Sequence, residues 1–293
     1  LMADAGHAPA APVVRATSAS AAAAIDVTAL LAAARGAPPL ICSLAAQSVG
    51  NGNWGWWSGA PASPLAAVAR SEDNDWRRIR DLPDADVTRL LDALASDDAC
   101  VREMSVRLVG QQPDARVAAP LISKLSSGDA SLRAVAAVGL GLVEPQGAVD
   151  PLIRTLRDAT VDVRANAAWA LGRIENGRAL APLTGLFRDD SPMVREAAVG
   201  AVGRLESTSA VAALQRVLQE DQVASVRRVA AWALGHLESR ESADALASVL
   251  SRDSDARVRE MTAWALGEIE QRRGIAALQR ALRDDADDAV RET

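Results

Sequence analysis

Tyrosine is absent, phenylalanine occurs once (Phe187) and lysine once (Lys124); the rest of the 32 basic residues are arginine. That preference reads as codon usage in a GC-rich bacterial genome. No apolar run reaches the roughly 18 residues needed to span a bilayer. Cys42 and Cys100 are the only cysteines, neither in a C-x-x-C pair nor near a histidine, so no metal or redox site is expected, and they say little about compartment. The two histidines, His7 and His236, are not followed by Glu. A G-x-S-x-G elbow, a P-loop and an H-E-x-x-H pair are all missing, and the carboxylates fall on turns and exposed helix faces. The chain offers catalysis no foothold, and no cofactor or metal is expected. The net charge of −6 argues against a nucleic-acid clamp, which would show a basic stripe.

What is abundant is Ala, Leu and Val, in a repeating order. Val163-Arg164-Ala165-Asn166-Ala167-Ala168-Trp169-Ala170-Leu171-Gly172 returns from Val226 and from Val258, with looser copies from Val101, Leu132 and Val194 and a cut-off copy from Val290. Successive starts are 31 residues apart up to Val194 and 32 apart after it. In every complete copy a glycine follows the first apolar residue by nine positions: Gly110, Gly141, Gly172, Gly203, Gly235 and Gly267. A fixed period of this size means a solenoid in which each unit packs on its neighbours.

Each unit reads as two helices. The first carries a proline near its start (Pro120, Pro151, Pro182), where a missing N–H is tolerated. The second opens three residues before the Val position, at Asp98, Asp129, Thr160, Ser191, Asp255 and Asp287, whose side chains can cap the first turn; Val223 is the exception. Residues 1–24, rich in Ala, Pro and Ser, read as a disordered linker. Residues 25–84 read as a degenerate repeat, with Leu30 and Leu31 on a first helix, followed by an insertion carrying Trp54, Trp56 and Trp57. Those aromatics either cover the end of the solenoid or form a second contact patch. Residues 85–293 are the regular array, stopping part-way into a second helix, so that further repeats are expected.

An Asp five residues before a Val-Arg pair, followed by Ala-Ala-x-Ala-Leu-Gly, resembles a HEAT repeat, in particular the short bacterial type of phycobilisome lyase-like proteins. The resemblance implies an all-α, right-handed α-α superhelix of about seven 31–32-residue repeats plus one degenerate N-terminal repeat. It also implies a structural ladder between repeats, carried here by Asp158 with Arg164, Asp189 with Arg195, Asp221 with Arg227 and Asp253 with Arg259; Asp285 with Arg291 fits the same pattern. Ser96 and Ser127 stand where the first two regular repeats would have the Asp. The family spans scaffolds, bilin lyase subunits, a DNA glycosylase type and a di-iron hydroxylase. The hydroxylase needs His-Glu pairs that this chain lacks.

Numbering the second helix from its Val as zero, positions 0, 4, 8 and 11 fall on one stripe, which predicts the buried face (Val163, Ala167, Leu171 and Ile174 in one copy). Position 6 lies nearly opposite and holds Trp169, Trp232 and Trp264; around it stand Asn166, Arg173, Arg204, Arg228, His236, Glu260 and Glu268. In the family the second helices line the concave surface, which implies a groove with an aromatic floor and mixed charges. The tryptophans can pack on the adjacent repeat, contact a partner, or both. The expected function is a monomeric, non-enzymatic scaffold binding a protein or peptide, cytoplasmic or periplasmic in a bacterium. The alternatives are a bilin lyase-like subunit and the regulatory tail of a larger, membrane-anchored protein.

Overall fold

The computed structural model describes residues 26–38, 42, 82–270 and 272–293. Trp54, Trp56, Trp57 and the linker of residues 1–24 lie outside the described residues. Among those described there are fifteen α-helices and no strand. Helix α1 is Val27–Ala34 and carries Leu30 and Leu31. A row of first helices follows: α2 (Asp84–Ala93), α4 (Asp114–Lys124), α6 (Val149–Thr155), α8 (Leu180–Gly185), α10 (Val211–Glu220), α12 (Ala243–Arg252) and α14 (Arg272–Asp284). It alternates with a row of second helices: α3 (Ala99–Val109), α5 (Ala130–Val143), α7 (Val161–Ile174), α9 (Pro192–Arg204), α11 (Ala224–His236), α13 (Ala256–Ile269) and α15 (Asp288–Glu292). The chain is an all-α solenoid.

The first helices are amphipathic. In α10 the buried residues are Val211, Leu214, Val217 and Leu218, one stripe with the other side in solvent. The second helices are buried on several sides. In α7 the stripe of Val163, Ala167, Leu171 and Ile174 is buried as the sequence predicts, but so are Ala165, Ala168 and Ala170. The reason is that each second helix has three neighbours, its own first helix and the second helices before and after it. Small residues at positions 5, 7 and 9 let these axes approach closely. The second helices pack on one another along the array, whereas neighbouring first helices touch sparsely as far as α12. The closer row is the inside of the bend, so the second helices line the concave side.

The ends of the second helices differ from expectation. Asp98, Asp129, Asp255 and Asp287 accept N–H bonds as caps, but Thr160 and Ser191 do not. Their own N–H groups are instead held by the carboxylates two residues earlier, Asp158 and Asp189, each at 2.9 Å. Pro151 and Pro182 are third in their α-helices, but Pro120 lies inside α4, seventh from its start. At the other end five glutamates, Glu144, Glu175, Glu206, Glu238 and Glu270, adopt left-handed backbone with φ between 47° and 57°. That conformation ends the helix and turns the chain into the next repeat. It is usually left to glycine, because a Cβ there costs about 1–2 kcal/mol.

Cys42 and Cys100, for which the sequence predicts no metal or redox site, are joined as a disulfide with Cα atoms 5.6 Å apart. A separation of 58 residues with no paired motif gives the sequence no sign of it. Such bonds persist where thiols are not kept reduced.

Candidate functional site: the concave face and its ladders

The repeated glycine fixes the floor. A Cβ built on Gly141 would meet Trp169 Cε3 at 2.8 Å and Ala170 Cα at 2.9 Å; on Gly203 or Gly235 it would meet Cζ3 of Trp232 or Trp264 at 2.8 Å. Each indole therefore lies back across the second helix of the preceding repeat, over its glycine. Trp169, Trp232 and Trp264 are half-buried, packed against the core with part of each ring still open to solvent. Packing on the adjacent repeat is thus in place, and the exposed part of each ring leaves a surface open beside it. At Gly110 and Gly172 the same hollow is filled by Leu142 and Ala201, and at Gly267 it is open.

A ladder of arginine–aspartate pairs runs between the repeats, each arginine meeting the aspartate of the next repeat's motif and not the one in its own. Arg164 donates to the backbone carbonyl of its own repeat's Asp158 (2.9 Å), but its bidentate carboxylate partner is Asp189 of the next repeat, at 2.9 Å from both Nε and Nη2. Arg195 does the same with Asp221, Arg227 with Asp253 and Arg259 with Asp285, and the ladder begins with Arg133 on Asp158. Each carboxylate thus caps its own second helix and holds the preceding repeat. The guanidinium bonds, partly opposed by burial, keep Asp158, Asp189 and Asp285 below the ordinary carboxylate range. Burial is the largest influence on Asp253 and pushes the other way, yet Arg227 and the Asp255 N–H still leave it lowered. The bonded arginines Arg133, Arg164, Arg195, Arg227 and Arg259 are raised in turn. Ser96 and Ser127 keep the capping half of the role, accepting from the N–H of Asp98 (3.2 Å) and Asp129 (3.1 Å). They cannot form a rung, and among the described residues no carboxylate answers Arg102.

A second ladder, invisible in the sequence reading, ties down part of the proposed rim. Arg173 Nε donates to Glu144 Oε1 at 2.9 Å and Arg204 Nη2 to Glu175 Oε1 at 3.0 Å; His236 Nε2 stands 3.6 Å from Glu206 Oε1. The acceptors are left-handed glutamates, so at these three joints the backbone turn that ends the helix also aims a carboxylate at the next repeat. The cations lie by the indoles as well: Arg173 is 6.0 Å from the Trp169 ring and His236 stacks on Trp232 with centroids 5.2 Å apart. Asn166 is tied to the carbonyl of Ala134 at 3.2 Å. Arg173, Arg204, His236 and Asn166 are therefore engaged within the chain. Arg228 and Glu260 are half-buried beside the indoles, and Glu268 is exposed.

Among the described residues no helix is long and apolar enough to cross a membrane, and no group of three or more His, Cys, Asp or Glu could hold a metal ion. A family model for HEAT repeats matches residues 149–235 and 221–293. No curated protein matches the chain. Among solved structures, the complex of CpcE and CpcF of phycocyanin lyase from Nostoc sp. PCC7120 is similar at 24% identity over 72% of this chain and 92% of that one, with a TM-score of 0.48. A designed armadillo repeat protein in complex with the peptide (KR)4 is similar at 20% identity over 62% of this chain and 99% of that one, TM-score 0.44. Human deoxyhypusine hydroxylase is similar at 21% identity over 71% and 93%, TM-score 0.37. At these identities the likeness is one of fold.

Proposed function

This chain belongs to the HEAT-repeat family, and on that premise we propose that it is a non-enzymatic scaffold that holds a protein or peptide against its second-helix row. The observation that carries this reading is the floor itself. Three indoles recur at one helical position, each large enough to anchor a partner and each left partly exposed. A fully structural tryptophan would be covered, and a merely exposed one would not be seated on a glycine. Aromatic anchors ringed by Arg and Glu have the composition of protein-binding patches. The ladders add rigidity: a floor held by rungs on both sides keeps its shape before a partner arrives, which lowers the ordering cost of binding.

The test is a pull-down from the source organism with the full chain, followed by hydrogen exchange on the reconstituted complex. Binding should be lost with Trp169, Trp232 and Trp264 changed to Gln, provided circular dichroism shows the helices intact. Because those rings also pack, a second variant changes only the rim, Arg228→Glu with Glu260→Arg. It should weaken binding, whereas Arg216→Glu on the opposite row should not. Protection that maps to the first-helix row, or rim variants that bind like the parent, would sink the reading.

A further inference from the structure

Helix α1 lies against α2 and α3 of the first regular repeat. Its eight residues are too few to hold a helix in isolation, and only Val27 and Ala34 are buried. It also stands off from its neighbours on one side. An open groove of about 720 Å³ separates Leu31 and Arg35 of the α1 segment from Arg89, Asp92 and Val101 of α2 and α3. Beside the apolar packing of Val27, Leu30, Leu31 and Ala34, two links among the described residues hold this helix, and both end at the first turn of α3. One is the Cys42–Cys100 disulfide. The other is the Gly36 N–H, which donates at 2.7 Å to Asp98 Oδ2, while the other oxygen of that carboxylate caps α3 at the N–H groups of Cys100 and Val101. The remainder of the array does not depend on α1, because each repeat packs only on its neighbours.

We propose that Cys42–Cys100 is a redox-sensitive clasp: closed, it keeps α1 across the first repeat, and opened by a dithiol it lets α1 leave as a unit while the repeats from α7 onward stay folded. In the opening step a thiolate of the dithiol attacks the sulfur of half-buried Cys42, and Cys100, 6% exposed, departs with the electron pair. The second thiol of the reagent then displaces Cys42. Two electrons and two protons pass to the pair, giving two cysteine thiols, and the reagent leaves as its disulfide. Release of α1 uncovers the side of Val101 that now faces it.

The experiment uses the full chain, oxidised and then treated with dithiothreitol, with thiol counting under denaturing conditions and hydrogen exchange read by mass spectrometry. Before reduction no free thiol is expected, and afterwards two per chain. Reduction should speed exchange across residues 27–34 by about tenfold or more, with the amides of α7, α9 and α11 unchanged. The Cys42→Ser variant leaves Cys100 in the core; it should show the fast α1 exchange without reductant and no further response to it. Two thiols in the untreated protein, unchanged α1 exchange on reduction, or loss of protection spreading through α7–α11 would each overturn the clasp.

Discussion

Arg102 and Arg164 hold the same register in their helices and end differently. Arg164 reaches back to the carbonyl of Asp158 and forward to the carboxylate of Asp189. Arg102 reaches back to the carbonyl of Ser96 at 2.7 Å and has only Ser127 ahead of it. The joint between the first two regular repeats therefore lacks an arginine–aspartate rung, and it also lacks an indole, since Leu142 fills the hollow at Gly110. Ser105 adds a buried hydroxyl without a hydrogen-bond partner on α3, where later copies place alanine or, as Thr262, a hydroxyl bonded to Val258 at 2.7 Å. The joints from α5 through α13 have rung, left-handed glutamate and close helix contact together. The lesson is that one sequence period does not give one interface. The helices recur throughout, but the connections between them differ at the N-terminal end.

Acid should expose that difference most strongly, because it attacks all the rungs together. Asp158, Asp189, Asp253 and Asp285 have folded-state pKa values depressed below their unfolded ones. Their stabilisation is fully present above the unfolded carboxylate value of about 3.9 and is lost as pH falls through the lower folded values. Thermal melts should thus be nearly flat from about pH 7 to pH 5 and fall steeply below about pH 4, with exchange protection lost first in the rung-bearing joints. A decline that begins near pH 6 would mean that groups other than the ladder carboxylates govern acid stability.

A smaller effect is expected at single glycines, and here two positions of the same register should respond with opposite sign. Gly141→Ala forces a methyl against the backbone of Ala170 and the ring of Trp169, and should cost about 1–3 kcal/mol. Gly267→Ala meets nothing within 4 Å and should gain about 0.5–1 kcal/mol from helix propensity alone. Denaturant midpoints of the two variants measure this directly. Equal effects would show that the glycines serve backbone flexibility, not the approach of the next repeat.

Much of this was legible in the sequence, and the exceptions have physical causes. The period, the two helices per repeat and the buried stripe follow from local patterning, and Val163, Ala167 and Leu171 are fully buried as expected. The stripe was too narrow because a helical wheel assumes one partner, whereas α7 has three; Ala168 and Ala170 are as buried as the stripe itself. The arginine–aspartate residues were readable but their partners were not, since Arg164 and Asp158 are close in sequence while the carboxylate it binds is 25 residues ahead. The second ladder depends on left-handed glutamates, a backbone state that glutamate gives no reason to expect. The disulfide and the seating of α1 depend on where Cys42 is carried in space, which no periodicity encodes.

The first joint can be repaired by one residue. Ser127 and Arg102 are 25 positions apart, the separation of Asp158 from Arg133. In Ser127→Asp the new carboxylate would keep the cap now made to the Asp129 N–H, as Asp158 does for Thr160 at 2.9 Å, and could accept Arg102 in the bidentate manner of the later rungs. The expected gain is up to about 1 kcal/mol, since a partly exposed pair gives up much of its attraction to solvent. A double-mutant cycle with Arg102→Ala separates the rung from the cap: the gain should vanish when Arg102 is removed if it comes from the pair, and persist if it comes from a stronger cap. No gain in either background would place the difference between the joints in the path of α4, which keeps Pro120 in its interior and holds the two repeats too far apart for a rung to close.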